Sequence, residues 1–167
     1  MSATRPSPAE LADYLRRYSD AVATVQNALA GASDADLDRK SDDPDAWSAR
    51  QVVHHLADSE TNSYVRLRRL IAEPAGTTIA GYDEAHWADV LAYDRPIAAS
   101  LAVFVAVRAS SAELLDTMLP TLPDEVWDRV GQHTESGPYT LHDWLRIYAD
   151  HGEAHAEQIE RALRGEA

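Results

Sequence analysis

Apolar residues recur at helical spacing in four long segments of the chain. In the first, Leu11, Leu15, Tyr18, Val22, Val25 and Leu29 repeat every three or four residues up to Gly31. Ser7, Pro8 and Glu10 ahead of them have the form of a capping box with proline at the first helical position. A second box, Ser48 with Gln51, opens a segment that runs to Pro74, with Val52, Leu56, Ser63, Leu67 and Leu70 on one arc. The third segment begins near Pro96 and stops at Pro120, and the fourth is capped at Thr140 with Asp143 three residues on and ends near Gly165. Between the second and third lies a longer irregular stretch with a short helix expected at "DEAHWADVL", and "DEVWDRVGQHTESGPYT" reads as a turn of helix followed by a loop. No alternating segment is long enough to argue a sheet. The pattern predicts an all-α fold, a four-helix bundle in one domain spanning residues 1–167.

Composition narrows the chemistry. The chain has 167 residues and 28 acidic against 15 basic side chains, a net charge of −13. Such a surface repels phosphate backbones and anionic lipids, which speaks against nucleic acid and membrane as partners. No window of the sequence reads as a membrane span, and "MSATRPSPAEL" lacks an apolar leader core, so a cytoplasmic location is the default expectation. With no cysteine, thiolate ligands and cysteine nucleophiles are excluded, and any metal must be held by His, Asp or Glu.

Seven histidines then become the candidates. On the fourth helix Leu141, Leu145, Tyr148, Gly152, His155, Ile159 and Ala162 fall on one face, with His151 a turn before His155 and about 40° to its side. Imidazoles at i and i+4 can converge on one point off the helix, and Gly152 is expected to leave open space beside them. In the second helix His55 lies about 80° from the buried arc and can reach a site between helices, whereas His54 lies about 180° away and is expected to face solvent. His86, His133 and His142 are expected at the surface.

These residues carry a resemblance. "WSARQVVHHLADSE", "YDEAHW" and "HGEAHAEQI", in that order over nearly the whole chain, resemble the DinB/YfiT-like superfamily of metalloenzymes, and especially the YfiT branch related to bacillithiol transferases. The resemblance implies a four-helix bundle that forms homodimers and binds a divalent metal, zinc or nickel, through three histidines. They fall here on His55, immediately before "LAD", and on His151 and His155, with Gln158 matching a glutamine common after the second. Glu60 stands where the branch often has histidine. Residue patterning and resemblance select the same three residues.

A three-imidazole site keeps a coordination position open, as catalytic sites do. The first expected function is a metal-dependent thiol S-transferase, in which an external low-molecular-weight thiol of the bacillithiol or mycothiol type attacks a small electrophile. Arg66, Arg68 and Arg69 are candidates to meet such a thiol's carboxylates. The alternative is a metal-dependent hydrolase with metal-bound hydroxide as nucleophile, for which Asp58 is the better-placed carboxylate and Glu153 should face away. A non-enzymatic, stress-related metal-binding protein is the third reading.

Overall fold

The computed structural model describes residues 5–167; the first residues of the stretch read for a leader lie outside them. Four long helices dominate: α1 (Pro8–Ala28), α3 (Ala49–Ala72), α5 (Ala98–Met118) and α7 (Leu141–Arg164), with short helices α2 (Asp34–Leu37), α4 (Glu84–Val90) and α6 (Asp124–Trp127) in the connections. The capping boxes at Ser7, Ser48 and Thr140 all form, each hydroxyl accepting from the third helical N–H while that residue's side chain accepts from the cap N–H. Gly165 ends α7 at φ 77°, the left-handed conformation glycine adopts without a Cβ penalty. The fold is the expected four-helix bundle. Around it the order is α1, α7, α3, α5: α1 packs on α7 and α5, and α3 on α5 and α7. The long helices α1 and α3, successive in the chain, thus face each other across a diagonal, as do α5 and α7.

Two sequence expectations are corrected here. The segment read as a loop after α6 forms strands β2 (Gly131–His133) and β3 (Gly137–Tyr139), and β1 (Thr78–Ile79) joins them in a sheet of order β1-β2-β3, parallel then antiparallel. These strands are too short to show alternation, so periodicity does not reveal them. Residues 98–121 of α5 and the turn after it are long and apolar enough to pass a spanning test by length and composition, with a mean hydropathy of 1.5. In the fold this helix packs on α1 and α3 and carries the buried Arg108.

The core divides into two apolar clusters. One holds Tyr18, Leu67, Leu70, Leu115, Trp127 and Trp144; the other holds Val25, Val52, Leu56, Phe104 and Ile159. The Arg108 guanidinium bridges them, 4.0 Å from the Tyr18 ring centroid and 5.6 Å from that of Phe104. It donates to the Tyr18 carbonyl on α1 at 3.2 Å, the Tyr148 carbonyl on α7 at 2.7 Å and Glu60 Oε1 on α3 at 2.6 Å. One side chain therefore ties all four long helices together. Gly152 is explained here too, and differently from the expected open space: a Cβ on it would stand 2.3 Å from Ala21 Cβ and 3.3 Å from Arg108 Nη1. Its missing side chain lets α1 and α7 approach closely above the buried guanidinium.

Candidate metal centre

Above this buried pair, α3 and α7 bring His55, His151 and His155 together. One ring nitrogen of each lies within 4.8 Å of the others. Ring centroids are 4.5 Å apart for His151 and His155, 4.7 Å for His55 and His155, and 5.6 Å for His55 and His151. The i, i+4 spacing places the α7 pair on one face, and α3 lies against that face.

Each ring is held from outside the cluster. His155 Nδ1 donates to Gln158 Oε1 at 2.8 Å, one turn along the same helix, which leaves Nε2 as the lone-pair nitrogen. Glu60 Oε1 lies 3.5 Å from His151 Nδ1, and the Ser59 hydroxyl 3.3 Å from its Nε2. His55 is buried at 2% exposure and stacks against Trp47, centroids 5.0 Å apart. Its Nδ1 has no hydrogen-bond partner, nor has that of His151. Unpartnered buried ring nitrogens cost on the order of 1–3 kcal/mol each, and a shared cation satisfies converging imidazoles at once. The residues present fit a divalent cation with nitrogen ligands.

Burial keeps the His55 and His155 rings uncharged. It pushes His55 down to about 3, helped by the neighbouring His155 and His151, and pushes His155 down to about 4, helped by His151. A histidine with its pKa lowered by folding binds fewer protons in the folded than in the unfolded chain, so stability rises with pH between the two values. For the metal-free protein that contribution is complete above the unfolded value near 6.5 and is lost as pH falls toward about 4 and then 3. The urea midpoint is expected to drop from pH 7 to pH 5, with a smaller drop in His155→Gln; equal slopes would disprove the assignment.

The other candidates fall elsewhere. His54 does not face solvent: it is fully buried, its Nε2 donating to the Arg95 carbonyl at 2.9 Å and its Nδ1 2.7 Å from the Ser100 hydroxyl. A single buried face does not describe α3, which is covered on one side by α7 and on the other by α5. His86 is exposed, while His133 on β2 is half-buried, with Nδ1 accepting the Glu135 and Ser136 N–H groups, and His142 is half-buried beside the Tyr14 ring. Asp58 is engaged by the Tyr93 hydroxyl at 2.6 Å. Glu153 is exposed, as expected. The arginines serve the fold: Arg66 donates to the Ala80 carbonyl and the Tyr148 hydroxyl, Arg68 lies on the Tyr64 ring and Arg69 donates to the Thr78 carbonyl.

One carboxylate escaped the sequence reading. Glu84, first residue of α4, brings Oε2 to 4.0 Å from His55 Nδ1. Desolvation raises its pKa, partly offset by His151 and Arg66. The signal was present in "YDEAHW", where Asp83 caps α4 by accepting the His86 N–H and so directs the first turn toward α3. Glu84, Trp47, His155 and Gln158 border a cavity of about 440 Å³. A larger cavity of about 540 Å³, beside Tyr93 and Gln51, is lined by none of the three histidines.

Fold and site define a four-helix bundle with a three-histidine cluster suited to a divalent cation and bordered at His155 by an open cavity. Comparison with known proteins agrees. Residues 17–159 match the model of the DinB superfamily, and the chain belongs to that family. A protein of Oceanobacillus iheyensis, assigned by inference as a metal-dependent hydrolase, is 33% identical over 147 residues, covering 88% of this chain and 82% of its own. A relative from Bacillus mycoides with the same inferred assignment is 30% identical over 151 residues, covering 88% of this chain and 84% of its own. The solved structure of YfiT from Bacillus subtilis, described as a four-helix bundle of unusual topology and, by inference, a metal-dependent hydrolase, superposes with a TM-score of 0.82. It is 28% identical and covers 96% of this chain and 89% of its own.

Proposed function

We propose that the protein is a metal-dependent hydrolase whose cation is held by His55, His151 and His155 and whose proton-transferring group is Glu84. The observation that carries this reading is the Glu84 carboxylate, 4.0 Å from His55 at the rim of the three-histidine cluster. A divalent cation there supplies Lewis acidity toward a water or a substrate carbonyl. Glu84 takes a proton from the attacking water as its oxygen bonds to the electrophilic carbon. It returns that proton to the leaving group as the bond to that group breaks. Its raised pKa suits both steps. The partly covered cluster and the Trp47 wall limit water to the open side.

Glu84→Gln is expected to keep full metal content and lose about 10²–10⁴-fold in kcat, the usual range for a positioned general base. Metal analysis beside ester and amide turnover checks this. A variant as active as the parent removes Glu84 from the reaction. The thiol S-transferase reading is supported by a different observation, the cavity of about 440 Å³ beside His155, which has room for a cosubstrate. Turnover that requires an added low-molecular-weight thiol selects it over hydrolysis, and metal uptake without any turnover selects the non-enzymatic reading.

A further inference from the structure

The mouth of the cluster has a charge of its own. Asp43, Asp45, Glu84 and Glu166 line the cavity against one guanidinium, that of Arg161. Glu166 is paired with Arg164 at 2.9 Å. Asp43 and Asp45 have no ion-pair partner among the described residues, and the Asp43 carboxylate accepts only the Asp45 N–H, at 3.0 Å. Glu84 faces no Arg or Lys within ion-pair distance; the group it faces is the buried, unpartnered His55 Nδ1. The second wall is the half-buried Trp47 ring, and aromatic faces attract cations. The wider field has the same sign, since the chain carries a net charge of −13.

From this we infer that the site selects small substrates that carry a cationic amine at the end remote from the reacting group. The reacting end sits at the imidazoles, and the ammonium lies between Asp43, Asp45 and the Trp47 ring. Ligands with a carboxylate at that end meet two unpaired carboxylates and are disfavoured. The inference rests on the metal-site reading but not on which reaction runs there, because a hydrolytic substrate and a thiol cosubstrate pass the same mouth.

The test uses two thiols of matched length and opposite charge, 2-aminoethanethiol and 3-mercaptopropionate, titrated into the zinc- or cobalt-loaded protein and followed by calorimetry. The amine is expected to bind about tenfold more tightly at low salt, with the ratio shrinking as ionic strength rises. Asp43→Asn combined with Asp45→Asn is expected to bring the ratio close to one; the asparagine at 43 retains the acceptor for the Asp45 N–H, so the loop keeps its turn. Equal or tighter binding of 3-mercaptopropionate overturns the inference, as does a preference for the amine that survives in the double variant. Chemical-shift mapping with benzylamine and benzoate on the metal-free protein provides an arm that needs no metal. Shifts at Trp47 and Glu84 with benzylamine alone support the inference, and shifts with both or neither overturn it. A protein that takes up no metal but shows this preference separates failure of the metal reading from failure of the charge reading.

Discussion

Replacing His155 by alanine is expected to abolish stoichiometric metal binding. His155 is the nearest neighbour of both other rings, its centroid 4.5 Å from His151 and 4.7 Å from His55, while those two are 5.6 Å apart. Its removal leaves only two imidazole ligands, one on each helix, where an open catalytic site uses three protein ligands. The expected loss of affinity exceeds the roughly 10–100-fold that a partner orienting a ligand contributes. Gln158→Ala gives the internal scale: it frees His155 Nδ1 but keeps the ligand, and is expected to weaken binding within that range. His54→Ala is the contrasting control. It removes the shorter hydrogen bond of both the Ser100 hydroxyl and the Arg95 carbonyl and opens a buried cavity, and is expected to lower stability while metal content stays at one per chain. Metal analysis after dialysis, with circular dichroism to confirm the helices, reads all three. Unchanged metal in His155→Ala, or loss in His54→Ala with the fold intact, would place the site elsewhere.

The choice between adjacent histidines marks how far the sequence could be read. His55 was found because a neighbour's pattern, the apolar arc of α3, located it, and because "HHLADSE" and "HGEAHAEQI" resembled a known family whose model the chain matches. His54 was misplaced because a helical wheel presumes a solvent side, and α3 has little of one. Arg50, His54 and Glu60 are all buried on it and all partnered across to other elements: Arg50 to Asp38 and Asp34, His54 to Ser100, Glu60 to Arg108. Polar residues whose partners stand twelve to forty-eight positions away in the chain leave no local trace. Glu84 was hidden for a related reason. It sits in a seven-residue helix whose direction is set by the Asp83 cap and by packing on α3, and spacing cannot report either. The long helices, by contrast, were legible end to end, because caps, periodicity and prolines are all local signals.

Arg108→Met is expected to cost about 3–5 kcal/mol in unfolding free energy, the range found when one partner of a buried ion pair is removed. Glu60 has no exposed surface, and only Arg108 offers it a full charge; its Oε2 has no hydrogen-bond partner even with Arg108 in place. The substitution also leaves the Tyr18 and Tyr148 carbonyls without the donor that joins α1 and α7 to α5. Methionine fills most of the volume, so the loss measures the charge and the hydrogen bonds more than a cavity. The pair itself is a poor stabiliser, since desolvation offsets most of its attraction. The double variant Glu60→Leu with Arg108→Met is therefore expected to recover most of the lost stability in urea denaturation. Metal affinity should not recover with it. Glu60 Oε1 stands 3.5 Å from His151 Nδ1 as a buried carboxylate beside that ring, so its loss is expected to weaken binding about tenfold or more even in a restored fold. If stability and affinity return together, the buried pair serves packing alone and His151 needs no carboxylate behind it.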